Sequence, residues 1–174
     1  MAVREILTEP NEVLRQKSTP VENVNSEIQM LMDDMLETMY AAPGIGLAAI
    51  QVGVAKRIIV LDIEHKEGAK KPIFIINPEV IHKSETNFTY EEGCLSVPGQ
   101  FAEIDRPDKC HLKYLDYYGQ QKEIKAEGML ATCIQHEMDH LEGILFIDYL
   151  SKLKQSMIIK KLSKQKKAIE RIVV

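Results

Sequence analysis

The segment "MLATCIQHEMDHLEG", residues 129–143, constrains this chain more than any other stretch. It reads as a helix, and Gly143 is its natural C-terminal stop. His136, Glu137 and His140 lie within it. Four residues turn a helix through about 400° and advance it about 6 Å, so both imidazoles leave one face. Such a pair can chelate one metal ion. Glu137 projects about 100° away and could reach a water on that ion without ligating it. The bland alternative is an ordinary helix that carries two histidines.

Two histidines do not complete a metal site, and the usual downstream ligands are missing. In H-E-x-x-H-x-x-G-x-x-H the last position would be Phe146, which cannot ligate, and no glutamate lies between Glu142 and Glu170. Both metalloprotease schemes therefore fail, and a third ligand has to come from upstream. His65, His82 and His111 stand isolated in loop or strand sequence, Cys110 reads as strand packing, and Cys133 competes with His136 for one helix face. Cys94, in "EEGCLS", is favoured by context, since Gly93 can adopt a backbone conformation closed to other residues. Spacing alone leaves the choice open. A Cys-His-His set would leave one tetrahedral position for water, the mark of a catalytic site.

Ser26 and Gln29 have capping-box spacing, and Ile28, Leu31, Met32, Met35, Leu36 and Met39 follow as one apolar stripe that Pro43 and Gly44 end. The string Gly44-x-Gly46-x-x-Ala49, with Asp62 further on, resembles a dinucleotide-binding fingerprint. That fingerprint must follow a strand and open a helix. Here the glycines follow a helix and lead to a strand, so a nucleotide cofactor is not expected.

Residues 56–63 and 72–81 read as strands, 87–93 as extended chain, and 109–128 as a hairpin turning at Tyr118-Gly119. Leu150, Leu153, Met157, Ile158, Leu162, Ile169 and Ile172 fit a third, C-terminal helix. The expected fold is α+β, with small antiparallel sheets packed around a central metal-binding helix and a C-terminal helix, in one catalytic domain over 1–174. Three cysteines, no C-x-x-C, no signal-like N-terminus and no long apolar run suit a cytoplasmic protein without a membrane span. Residues 151–174 hold eight basic groups against Glu170 alone, net +7, while the rest of the chain is net −11. The tail reads as a solvated helix face, with contact to RNA or another anionic surface as the alternative.

Three motifs in order, "GIGLAAIQ" (44–51), "EGCLS" (92–96) and "QHEMDH" (135–140), resemble those of the peptide deformylases, in the short bacterial form. The likeness also takes in "ILTEPNEVLR" and "HLEGILFIDYLS", and runs from about residue 5 to 151; Ile50 and the residues around Phe101 depart from the commoner pattern. The resemblance implies one Fe(II) per chain, replaceable by zinc, nickel or cobalt, on Cys94, His136 and His140. It implies Glu137 as acid/base, and Gln51 with the Leu95 backbone N–H as oxyanion donors. It further implies a methionine pocket that includes Ile45, Tyr90, Met129 and Cys133. Gly46 would sit where the glycine loop approaches the substrate backbone. The implied reaction removes the N-formyl group from formyl-methionyl nascent chains. Asp139 remains either an orienting partner for a ligand histidine or a surface acid.

Overall fold

The structure is a computed structural model that describes residues 2–173, with side chains as far as 167. Its first helix, α1 (Ser26–Ala41), is capped one residue earlier than the sequence suggests. Asn25, not Ser26, is the cap: its Oδ1 accepts from Ile28 N at 3.0 Å. Gln29 is drawn away from the cap and donates Nε2 to the Tyr117 carbonyl at 3.1 Å. The predicted stripe holds, with Ile28, Leu31, Met32, Met35 and Met39 buried.

Five antiparallel strands form the main sheet, in the order β1 (Gly46–Ala48), β2 (Ile58–Leu61), β3 (Ile73–Lys83), β6 (Lys109–Leu115) and β7 (Gln121–Glu127). A separate hairpin pairs β4 (Asn87–Cys94) with β5 (Val97–Pro107). The run "IIVL" of β2 shows why the sheet is sandwiched. Its Ile58 and Val60 pack with the α1 stripe, while Ile59 and Leu61 pack with Ile134, Cys133 and Leu141 of α2 (Gly128–Leu141). A strand apolar on both faces needs a helix on each side, and here it has them. β3 bends at Asn77, whose φ is 51° and whose amide closes on both the N–H and the carbonyl of Val21 at 2.8 Å.

β5 is the element least visible in the sequence. Glu103 and Asp105 lie on its outer face, and the buried Arg106 stands where an apolar residue would make the alternation readable. β6 and β7 form the predicted hairpin, its turn held by Asp116 Oδ1, which accepts from Tyr118 and Gln120 N. In α3 (Lys152–Val173), Leu162 is buried and Ile158 packs beside it. The predicted stripe is corrected at Leu153 and Met157, which are exposed, while Ile159 takes part in the packed face. The side chains of Ile169 and Ile172 lie outside the described residues. Among the described residues no helix is long and apolar enough to cross a membrane.

Candidate metal centre

α2 follows β7 directly and runs beneath β1 and β2, which carries its polar face into the interior. His136, Glu137 and His140 are all buried there. The end of β4 brings in Cys94, whose Sγ lies 3.4 Å from His140 Nε2. One ligand atom from each of Cys94, His136 and His140 lies within 4.8 Å of the others, and among the described residues they form the one such group. The remaining candidates are engaged elsewhere. His65 Nε2 bonds the Gly44 carbonyl at 2.6 Å, and His111 bonds Glu123 across the β6–β7 pair, with His82 its neighbour on β3. Cys133 Sγ faces the Ile45 carbonyl, and Cys110 is buried in the sheet. Phe146, where a protease-type third histidine would fall, stacks on His136 with centroids 6.2 Å apart.

Burial works to lower the pKa of His136, but its bonds to Cys94 and Glu92 outweigh it and hold it well above the ordinary value, so its surroundings favour positive charge. Burial holds His140 well below its ordinary pKa, so it is neutral with a lone pair to offer. His136 donates Nδ1–H to Glu92 Oε1 at 2.8 Å, which leaves Nε2 for a ligand. Burial works to raise the pKa of Glu92, but the bonds from His136 and Arg106 outweigh it and keep the carboxyl ionised. Burial pushes Glu137 up to about 7, against the lowering pull of His136 and Arg106. Its Oε2 is buried without a hydrogen-bond partner. A thiol and two imidazoles converging beside an unpaired carboxylate oxygen fit a divalent ion with one position open to water.

Gln51 lies in a 3₁₀ turn, Ala49–Val52, and is buried. Its Oε1 accepts from Ala48 N, which aims Nε2 at Ser96 Oγ (3.0 Å) and towards Cys94 Sγ (3.7 Å). A cleft of about 710 Å³ opens over these groups, with Leu95 beside Cys94, Ile45, Tyr90, Met129 and Cys133 in its walls, and Lys66 and Phe101 also lining it.

Gly93 takes a different physical reason from the one the sequence suggested, and Gly46 has a packing reason beside the expected approach of substrate. A Cβ on Gly46 would lie 2.9 Å from both Cys133 Sγ and Glu137 Oε1, so this glycine lets β1 close onto α2. Gly93 is absent from the positive-φ residues; a Cβ there would lie 2.6 Å from the Phe101 ring. Asp62, the supposed ribose acid, is buried and accepts from Tyr40 Oη (2.6 Å) and Lys71 N (2.9 Å). The Asp139 side chain hydrogen-bonds neither His136 nor His140. Its Oδ2 accepts from Arg106 and Tyr149. The residue that does orient one of these histidines is Glu92, which sequence reasoning passed over two positions before Cys94. With Arg106 it needed the β4–β5 pairing to become visible.

The chain resembles known proteins over nearly all of its length. The family model described as Polypeptide deformylase matches residues 3–156. A peptide deformylase of Pelagibacter ubique is 66% identical over 174 residues, covering 100% of both chains. The crystal structure of the Ehrlichia chaffeensis peptide deformylase in complex with actinonin superposes with a TM-score of 0.91 at 48% identity, covering 95% of this chain and 98% of that one. The Legionella pneumophila peptide deformylase gives 0.90 at 46% identity, over 98% and 99%.

Proposed function

Since the chain belongs to the polypeptide deformylase family, and hydrolytically removes the N-formyl group from formyl-methionyl nascent chains, we propose that it does so as one catalytic domain at Cys94, His136 and His140. The observation that carries this reading is their convergence beside the unpaired Oε2 of the buried Glu137. The Cys94 thiolate and the two imidazoles would hold a divalent ion, which would supply Lewis acidity to lower the pKa of water. The thiolate offsets part of the positive charge, so a protein base has more to do. Glu137 is that base: it takes a proton from the attacking water at its carboxylate and hands it to the departing amine nitrogen. As the formyl oxygen becomes anionic, Gln51 Nε2 and the Leu95 backbone N–H donate to it. Gln51 is suited to this because its own carbonyl is spent on Ala48 N, which fixes the orientation of the amide. Ile45, Tyr90, Met129 and Cys133 take the methionine side chain, and Gly46 keeps the wall close to Glu137.

We assign the ion as Fe(II) on the resemblance to the peptide deformylases; the thiolate and imidazole set would also take zinc, nickel or cobalt and does not itself choose among them. Cytoplasmic synthesis supplies the substrate, and the exposed lysines of α3, Lys152, Lys154, Lys160 and Lys161 among them, offer a contact for ribosomal RNA. The test is formate release from a formyl-Met peptide by protein loaded anaerobically with Fe(II), beside the acetyl-Met peptide. Rapid formate with little acetate is the expected result. Release from neither, with one metal bound per chain, would overturn the reading.

A further inference from the structure

Resting on the reading that Cys94, His136 and His140 hold the metal, we infer that Asp139 is a positioning residue for that metal, acting through Arg106 and Glu92 on His136. Arg106 is shared between two carboxylates. Its Nε and Nη2 donate to Glu92 at 2.6 and 3.0 Å, and its Nη1 donates to Asp139 Oδ2 at 2.8 Å. The side chain of Arg106 is 5% exposed and that of Glu92 4%, so these charges interact at low dielectric. Tyr149 fixes the outer end: its hydroxyl donates to Asp139 Oδ2 at 2.7 Å, and its ring lies over the guanidinium, 5.1 Å from Cζ.

The physical consequence concerns how much charge Glu92 can lend. A carboxylate on Nδ1–H of a ligand histidine raises the basicity of Nε2 and strengthens its bond to a metal. A guanidinium devoted to that carboxylate alone would draw the charge back. By taking Nη1, Asp139 divides the pull of Arg106 and leaves more of the Glu92 charge for His136. Asp139 thus strengthens a ligand that it never touches, although it sits on the same helix between the two histidines. The bond from Tyr149 keeps the Asp139 carboxylate aimed at Arg106 rather than at solvent.

The test uses the full chain with Co(II) in place of iron, as wild type, Asp139→Asn and Tyr149→Phe. The readouts are the visible absorption of the bound cobalt, the rate of its loss to excess chelator, and the melting temperature. Removing a direct partner of a ligand histidine costs about 10- to 100-fold in metal affinity. One bond further out, Asp139→Asn is expected to lose cobalt about 3- to 10-fold faster, with a shifted spectrum. Tyr149→Phe, which keeps the ring over Arg106, moves both readouts in the same direction by less, and decides the matter if Asp139→Asn does not fold. An ion pair that only supports the fold would lower the melting temperature and leave spectrum and loss rate at wild-type values; that result overturns the inference. Failure of the wild type to bind one cobalt with a thiolate charge-transfer band would instead overturn the metal-centre reading.

Discussion

Gly46→Ala tests how the cleft wall and the helix that carries Glu137 are held together. The added Cβ would lie 2.9 Å from Cys133 Sγ, 2.9 Å from Glu137 Oε1 and 3.0 Å from Glu137 Cγ. Comfortable contact between such atoms begins at about 3.5 Å, so the deficit is about half an ångström against two side chains of one helix. Both side chains are buried, and residue 46 is paired to Leu61 in the next strand, so β1 cannot retreat. α2 must tilt, or the Glu137 carboxylate must swing aside. Overpacking on this scale costs about 1–3 kcal/mol, and each kcal/mol lowers Tm by about 2–4 °C in a chain of this size. Catalysis should suffer more, because a misplacement of about 1 Å can cost about 100-fold. The expected outcome is a fall of about 10- to 100-fold in kcat for formate release, with KM little changed and Tm reduced. Adding Cys133→Ala removes one of the contacts and should recover part of the Tm but little of kcat. A variant with raised KM and wild-type Tm and kcat would refute the packing argument. Gly46 would then be small only to admit the substrate backbone.

Gly143→Ala faces backbone rather than side chains: φ is +74°, and a Cβ there would run into the Arg15 carbonyl oxygen. Left-handed strain and the clash together should cost about 2–5 kcal/mol, read as a lower urea midpoint; an unchanged midpoint would refute it. For Glu137, burial raises the folded-state pKa from 4.5 to about 7, so the native state of chelator-stripped protein binds the proton more tightly than the unfolded state. Its stability should fall as pH rises through that window, and Glu137→Gln should escape the fall. The variant should gain on wild type by on the order of 1–3 kcal/mol between pH 4 and pH 8, and a constant difference would contradict this. In air the Fe(II) enzyme should lose activity faster than the nickel enzyme, because iron beside a thiolate invites oxidation. Parallel decay curves would count against the assignment of iron.

The elements legible in the sequence were those whose signal is local. The α1 stripe and the β6–β7 hairpin carry their periodicity in adjacent residues, and the glycine string could be set apart from a nucleotide turn by what precedes it. His136 and His140 were legible because one helix face sets their separation. Cys94 comes from the β4–β5 hairpin and not from that helix, so spacing could only nominate it until the end of β4 was seen beside α2. The partners that tune the site were out of reach for the same reason. Glu92 and Arg106 meet across a hairpin whose second strand hides its alternation behind Glu103, Asp105 and the buried Arg106 itself. Where several chemically sound options stood side by side, tertiary packing chose among them. It chose Asn25 over Ser26 as the cap, and close contact rather than backbone freedom as the reason for Gly93.

In the proposed division of labour three residues hold the metal and a fourth moves the proton. Glu137→Gln, metal-loaded beside wild type and assayed for both metal content and formate, tests it most directly. The expected result is one metal per chain in both proteins and a fall in formate release of at least about 100-fold in the variant. Loss of the metal along with the activity would make Glu137 part of the holding set, and undiminished formate release would remove it from the chemistry; either result contradicts the account.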